Sequence, residues 1–152
     1  MTELVLPATP GAYILDHYLA DFSIENPGGR VPPERAAELV LGMEAAVHAA
    51  PLPDAADGRY GVQIVLGLPA RLGERIIFLI EMRYRVNVQL QDVAAEAIPA
   101  LLQVQIPNAV FPVIKEIVQR NGAFAGYPEL LLLPIDFAGL FQAQSQAQGI
   151  LP

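Results

Sequence analysis

The sequence predicts an α+β domain: a four-stranded antiparallel sheet, Greek-key in type, with C-terminal helices packed on one face. Three observations predict it. Four successive stretches before residue 91 alternate apolar and polar side chains with the period of a β-strand. Helical spacing begins only after Asp92. The elements come in runs, strands and then helices, which selects an antiparallel sheet over a parallel one with crossover helices.

Residues 1–10 read as a loose leader, with Pro7 and Pro10. The first strand runs from Tyr13 to Glu25. In its second half Ala20, Phe22 and Ile24 take one face, and Asp21, Ser23 and Glu25 the other. Asp21 and Glu25 are then about 13 Å apart, too far for an acid/base pair working on one bond. Residues 26–37 form a crossover loop rich in Pro and Gly. In the second strand Leu39, Leu41, Met43, Ala45 and Val47 share a face, and residues 49–58 form a long turn. The third strand carries Tyr60, Val62, Ile64, Leu66 and Leu68, and Pro69 to Gly73 turns the chain.

The fourth strand is the clearest. Ile76, Phe78, Ile80, Met82, Tyr84, Val86, Val88 and Leu90 face one way; Ile77, Leu79, Glu81, Arg83, Arg85, Asn87 and Gln89 face the other. It is far longer than an average strand of five or six residues, which suggests a bend or a reach into a neighbouring subunit. Leu79 and Ile77 sit on its otherwise polar face; a solvated face needs no leucine, so a contact is expected there. Beyond it, Pro99 fits the first residue of a short helix ending near Val104. Ala109, Val110, Val113, Ile114, Ile117 and Val118 then define an amphipathic helix that Pro112 starts or kinks and Asn121-Gly122 stops. Asp136 is the expected N-cap of a last short helix, with Ile135 and Leu140 at staple spacing. That helix gives way to a polar, flexible tail over 142–152.

The chain of 152 residues suits one domain, 1–152, and carries a net charge of −7 with 16% charged residues. Mean hydropathy is +0.39, yet no uninterrupted apolar run reaches the roughly 18 residues of a bilayer span. No direct membrane insertion is expected. The apolar surplus calls for subunit contacts, a binding groove, or both. Negative charge and scattered basic residues argue against nucleic acid. There is no cysteine, which excludes thiolate chemistry and cysteine metal sites and suits a cytoplasmic location. The N-terminus lacks the features of a secretory signal. His17 and His48 lack metal-ligand spacing, and Ser23 and Ser145 lack a nucleophile motif. No catalytic constellation, cofactor or metal is expected; the chain reads as a binding or assembly protein rather than an enzyme.

Three segments resemble the SecB family of protein-export chaperones. They are Asp21 to Pro27; Phe78-Leu79-Ile80-Glu81; and the stretch holding Pro107-Asn108, Phe111-Pro112, Glu116, Gly126-Tyr127-Pro128, Pro134 to Phe137 and Leu140-Phe141. Their order and spacing match the family over about residues 12–141. The resemblance implies an ATP-independent chaperone that binds unfolded preproteins in apolar grooves, keeps them translocation-competent and delivers them to the SecA motor. It implies a homotetramer built as a dimer of dimers, with the helix near residues 112–119 at the dimer–dimer contact. It also implies that a basic SecA tail docks on Asp21, Glu25, Leu79 and Glu81. The client groove is expected along Leu39, Leu41, Met43, Tyr127, Leu131, Leu133 and Phe137. Met82-Arg83-Tyr84-Arg85 departs from the family's glutamine–glycine run, and there is no tryptophan. The alternatives are a SecB-like chaperone for a dedicated client, in a toxin–antitoxin or specialised secretion system, or a small-ligand-binding α+β protein.

Overall fold

The structure, a computed structural model, describes residues 4–5, 11–27, 29–53, 57–128 and 130–147. Its sheet is built from β1 (Leu4–Val5), β2 (Ala12–Glu25), β3 (Val40–Leu41), β4 (Glu44–Pro51), β5 (Arg59–Leu72) and β6 (Arg75–Leu90). The order is β1-β2-β6-β5-β3, with β4 also on β5 and every pairing antiparallel. β3 and β4 share one position, so the sheet is five strands wide rather than the expected four. The fifth is β1, inside the expected leader; the leader's other residues lie outside those described. The long connection that brings β3 and β4 across the sheet from β2 is the Greek-key crossover.

The second strand is divided because of Pro69, which lies inside β5 and not in a turn. The Pro69 carbonyl accepts from the Gly42 amide at 2.7 Å, so its nitrogen, which has no hydrogen, points the same way. The neighbouring strand loses a rung there and breaks between Leu41 and Glu44. β4 then continues through Pro51, which shortens the expected 49–58 turn. The β5–β6 hairpin closes at Gly73-Glu74, between the Leu72–Arg75 pair, with Gly73 at φ +65.

β6 is paired on both sides along nearly its full length, within its own sheet. A register shift after Ala70 makes Ile77 the extra residue. Ile77 is therefore buried and Ile76 is 40% exposed, the reverse of strict alternation. Beyond the bulge Phe78, Ile80, Met82, Tyr84, Val86, Val88 and Leu90 are buried as expected. β2 bulges twice, once between Ile14 and Asp16 and once between Leu19 and Asp21. The second bulge takes Ala20 out of the row shared by Phe22 and Ile24. Burial raises the Tyr84 phenol above its ordinary 10.0, and His17 Nδ1 lies 2.6 Å from its oxygen.

The helices cover the inner face. A 3₁₀ turn (Ala95–Ala97), α2 (Ile98–Ala100), a π-helical turn (Leu101–Gln105) and α3 (Ile106–Phe124) follow one another without a break; α1 is the short crossover helix Pro33–Ala36. The short helix expected to end near Val104 is thus continuous with the next, and Pro107 and Pro112 are absorbed within the run. By length and composition alone this run could cross a bilayer. Its Ile106, Val110, Ile114 and Val118 stripe is buried in the same core as the sheet's inner face, while Val113 stays exposed.

α3 does not stop at Asn121-Gly122. It ends at Gly126 (φ +104), where the Tyr127 amide bonds the Gly122 carbonyl and the Gly126 amide bonds that of Ala123. Gly122 instead permits close packing, since a Cβ there would collide with Leu130 Cδ2. α4 (Phe137–Ala147) carries helix into the first part of the expected tail. Asp136 is its N-cap, with Oδ1 accepting from the Gly139 amide at 3.0 Å. Asp136→Ala should cost about 1 kcal/mol, read as a lower urea midpoint at unchanged slope; an unshifted midpoint would show that the cap contributes nothing.

Candidate functional site

Two surfaces stand out, one on each side of the sheet. The first is a groove of about 570 Å³ between the crossover and the segment after α3, with Phe78 and Ala70 on its sheet side. Of the expected client-binding residues, Leu39, Leu41, Met43, Tyr127, Leu131 and Leu133 line it. Phe137 does not: it is 1% exposed and packs edge-on against Phe111, so it belongs to the core. Val31, Val40, Leu130 and Leu132 also line the groove. Alternation assigned Val40 no role, yet the broken edge strand leaves it 67% exposed.

The local sequence explains why leucines remain in solvent. Residues 130–133 form neither helix nor strand, and burial alternates along them. Leu132 is fully buried, Leu130 packs onto Gly122, and Gln119 Oε1 accepts from the Leu132 amide at 3.1 Å. Held down by these contacts, the segment leaves Leu131 56% and Leu133 63% exposed. At the start of the same segment Tyr127 packs on Phe78, with ring centres 4.5 Å apart, and its hydroxyl reaches the crossover, donating to the Gly29 carbonyl at 2.8 Å. Asn26 Nδ2 donates to the Ala125 carbonyl at 3.2 Å. These two bonds tie the crossover to the end of α3 and set the groove's width.

The second surface is the outer face of the sheet. Register places Glu25 opposite Leu79, Ser23 opposite Glu81 and Asp21 opposite Arg83. Alternation puts each pair on one face of its own strand; paired residues point to the same face, so register brings Asp21, Glu25, Leu79 and Glu81 to one corner. Arg83 enters that corner directly across from Asp21, and no ion pair joins them among the described residues. Arg85 lies further along the same face, 3.4 Å from Gln63 Oε1. Among the described residues no group of three or more His, Asp or Glu side chains could hold a metal ion.

The family described as Preprotein translocase subunit SecB matches residues 7–148. The chain belongs to the SecB family. The protein-export protein SecB of Hyphomonas neptunium is 33% identical over 139 residues, covering 91% of this chain and 81% of that one. That of Bartonella quintana is 32% identical over 132 residues, covering 85% and 80%. That of Caulobacter vibrioides is 30% identical over 163 aligned positions, covering 98% and 96%. A SecB-like chaperone of Mycobacterium tuberculosis, solved with a ChAD peptide from an antitoxin, shares the fold with TM-score 0.68 and 17% identity. The match covers 82% of this chain and 90% of that one. Membership gives the coarse reading of a SecB-type chaperone rather than an enzyme.

Gly122→Val should force Leu130 off α3 and cost about 1–3 kcal/mol through overpacking. The expected result is a lower urea midpoint with faster proteolysis in 127–133; an unchanged midpoint would show that the segment is not held by this contact.

Proposed function

We propose that this SecB-family protein is an ATP-independent chaperone. It holds unfolded preproteins in the groove, keeps them translocation-competent and delivers them to the SecA motor from the cytoplasm. The observation that carries the reading is the pair Leu131 and Leu133, held in solvent at the groove by a segment whose other side is fixed. Removing such surface from water contributes about 25 cal/mol per Å², whichever apolar sequence covers it, so the groove suits many unfolded chains. Met43, 39% exposed at the rim, adds an adaptable contact. A bound chain is held and released unchanged.

The working assembly is a homotetramer, a dimer of dimers, which would cover part of the apolar surface that one subunit leaves open, including Val113 on α3. The outer corner of Asp21, Glu25, Leu79 and Glu81 docks the basic tail of SecA. A second reading keeps the groove and gives it one dedicated client. Arg83 opposite Asp21 favours that reading, because a cation in the acidic row weakens attraction for a basic partner.

Leu131→Asp combined with Leu133→Asp should abolish suppression of aggregation of an unfolded precursor, with the circular dichroism spectrum unchanged; retained holding activity would sink the groove reading. Asp21→Arg or Glu81→Arg should weaken SecA binding and leave holding intact. Light scattering should give a mass near four subunits, and a strict monomer contradicts the assembly. A pull-down from native lysate separates the two readings: SecA with diverse precursors supports the first, one stoichiometric client the second.

A further inference from the structure

The outer face holds a feature that neither the core nor the groove explains. A concavity of about 500 Å³ lies beside the acidic corner, where Val65, Pro69, Ile76 and Leu79 form its apolar seat and Glu44 and Glu81 flank it. The register shows how it arises. Glu81 on β6 lies opposite Gly67 on β5, and Gly67 lies opposite Glu44 on β4. The two glutamates therefore share one row across three strands, roughly 9.5 Å apart at the backbone, with no side chain between them.

Gly67 has no local reason to be glycine. It lies inside a strand, where glycine weakens the sheet, and it is absent from the positive-φ glycines. A Cβ there would meet only Glu44 atoms at 3.9 Å, an ordinary contact. Gly61 on the same strand differs, since its Cβ would stand 2.9 Å from Arg85 Nη2. Gly67 sits at no bulge in either pairing, and close approach of a ligand or another backbone is the other common reason for glycine inside a strand.

We infer that Gly67, Glu44 and the concavity form the second half of the docking surface, and that its occupant is a basic peptide segment carrying an apolar side chain. This rests on the docking role proposed for the outer corner and extends it from β2 and β6 across the sheet to β4. The apolar side chain sits on Ile76, Leu79 and Pro69. The segment's backbone crosses at Gly67, and its cations lie between the carboxylates of Glu81 and Glu44. Arg71, paired with Ile76, marks the far rim and sets an end to the basic run.

The test titrates the full chain, at low salt, into a labelled synthetic peptide of lysines around one leucine, with a glutamate-for-lysine peptide as control. Anisotropy should show that the basic peptide binds and the acidic one does not. Glu44→Lys should weaken binding about fivefold, the effect of losing one favourable surface ion pair. Gly67→Val keeps every charge and should weaken binding without lowering Tm. Gly67→Ala should act in the same direction, with a smaller loss, should valine disturb the sheet. If Glu81→Lys weakens binding while Glu44→Lys and the Gly67 variants bind like the parent, the extension is overturned and the docking corner stands. If none of these changes matters, or the acidic peptide binds equally well, both are overturned.

Discussion

The pleat of β6 is the constraint on which the rest of the molecule depends. A residue in a strand paired on both sides cannot turn over without breaking two ladders, so each side chain is committed to one face. From Phe78 to Leu90 one row builds the core beneath the helices, and the intervening row, from Leu79 to Gln89, forms the outer surface. The two candidate sites lie on opposite faces for this reason. Phe78 and Leu79 are adjacent in the chain, yet one faces the groove and the other the acidic corner. A partner on the outer face would leave the groove open.

The groove exists because several local rules conflict with the regular elements around it. Pro69 removes one rung from the sheet edge, and the broken strand turns Leu39, Val40, Leu41 and Met43 into a wall instead of a continuous rib. Gly126 ends α3 in a left-handed turn, and Gly122 lets the returning chain lie against the helix. The leucine run that follows cannot bury all its members. Burial alternates along it, with Leu132 inside and Leu131 and Leu133 outside. The hydrogen bond from the Leu132 amide to Gln119 keeps the exposed leucines from collapsing inward.

Much of this was legible in the sequence. Period-two patterning located the long strands, and in β6 it assigned every side chain from Phe78 onward to the correct face. It also put Asp21, Ser23 and Glu25 on one face and singled out Leu79. Alternation failed at Ile76 and Ile77, because one inserted residue reverses both assignments and leaves no compositional trace. It missed the break at Gly42, whose cause lies in Pro69 on another strand. It took Asn121-Gly122 as a stop, although Gly122 is there for contact with Leu130 and Gly126 ends the helix. Phe137 was an equally natural groove residue by composition, but its position at the start of α4 places it against Phe111.

The sequence by itself determined the α+β class, the apolar surplus, the acidic row and the absence of catalytic motifs. These follow from patterning along the chain, where near neighbours suffice. Only the tertiary structure decided which apolar residues remain uncovered and which charges meet. It set Arg83 across from Asp21 and put Gly67 between Glu81 and Glu44. Such pairings join residues distant in the chain through strand register, and register is fixed by bulges, a proline and the two-residue β5–β6 turn acting together over the whole sheet.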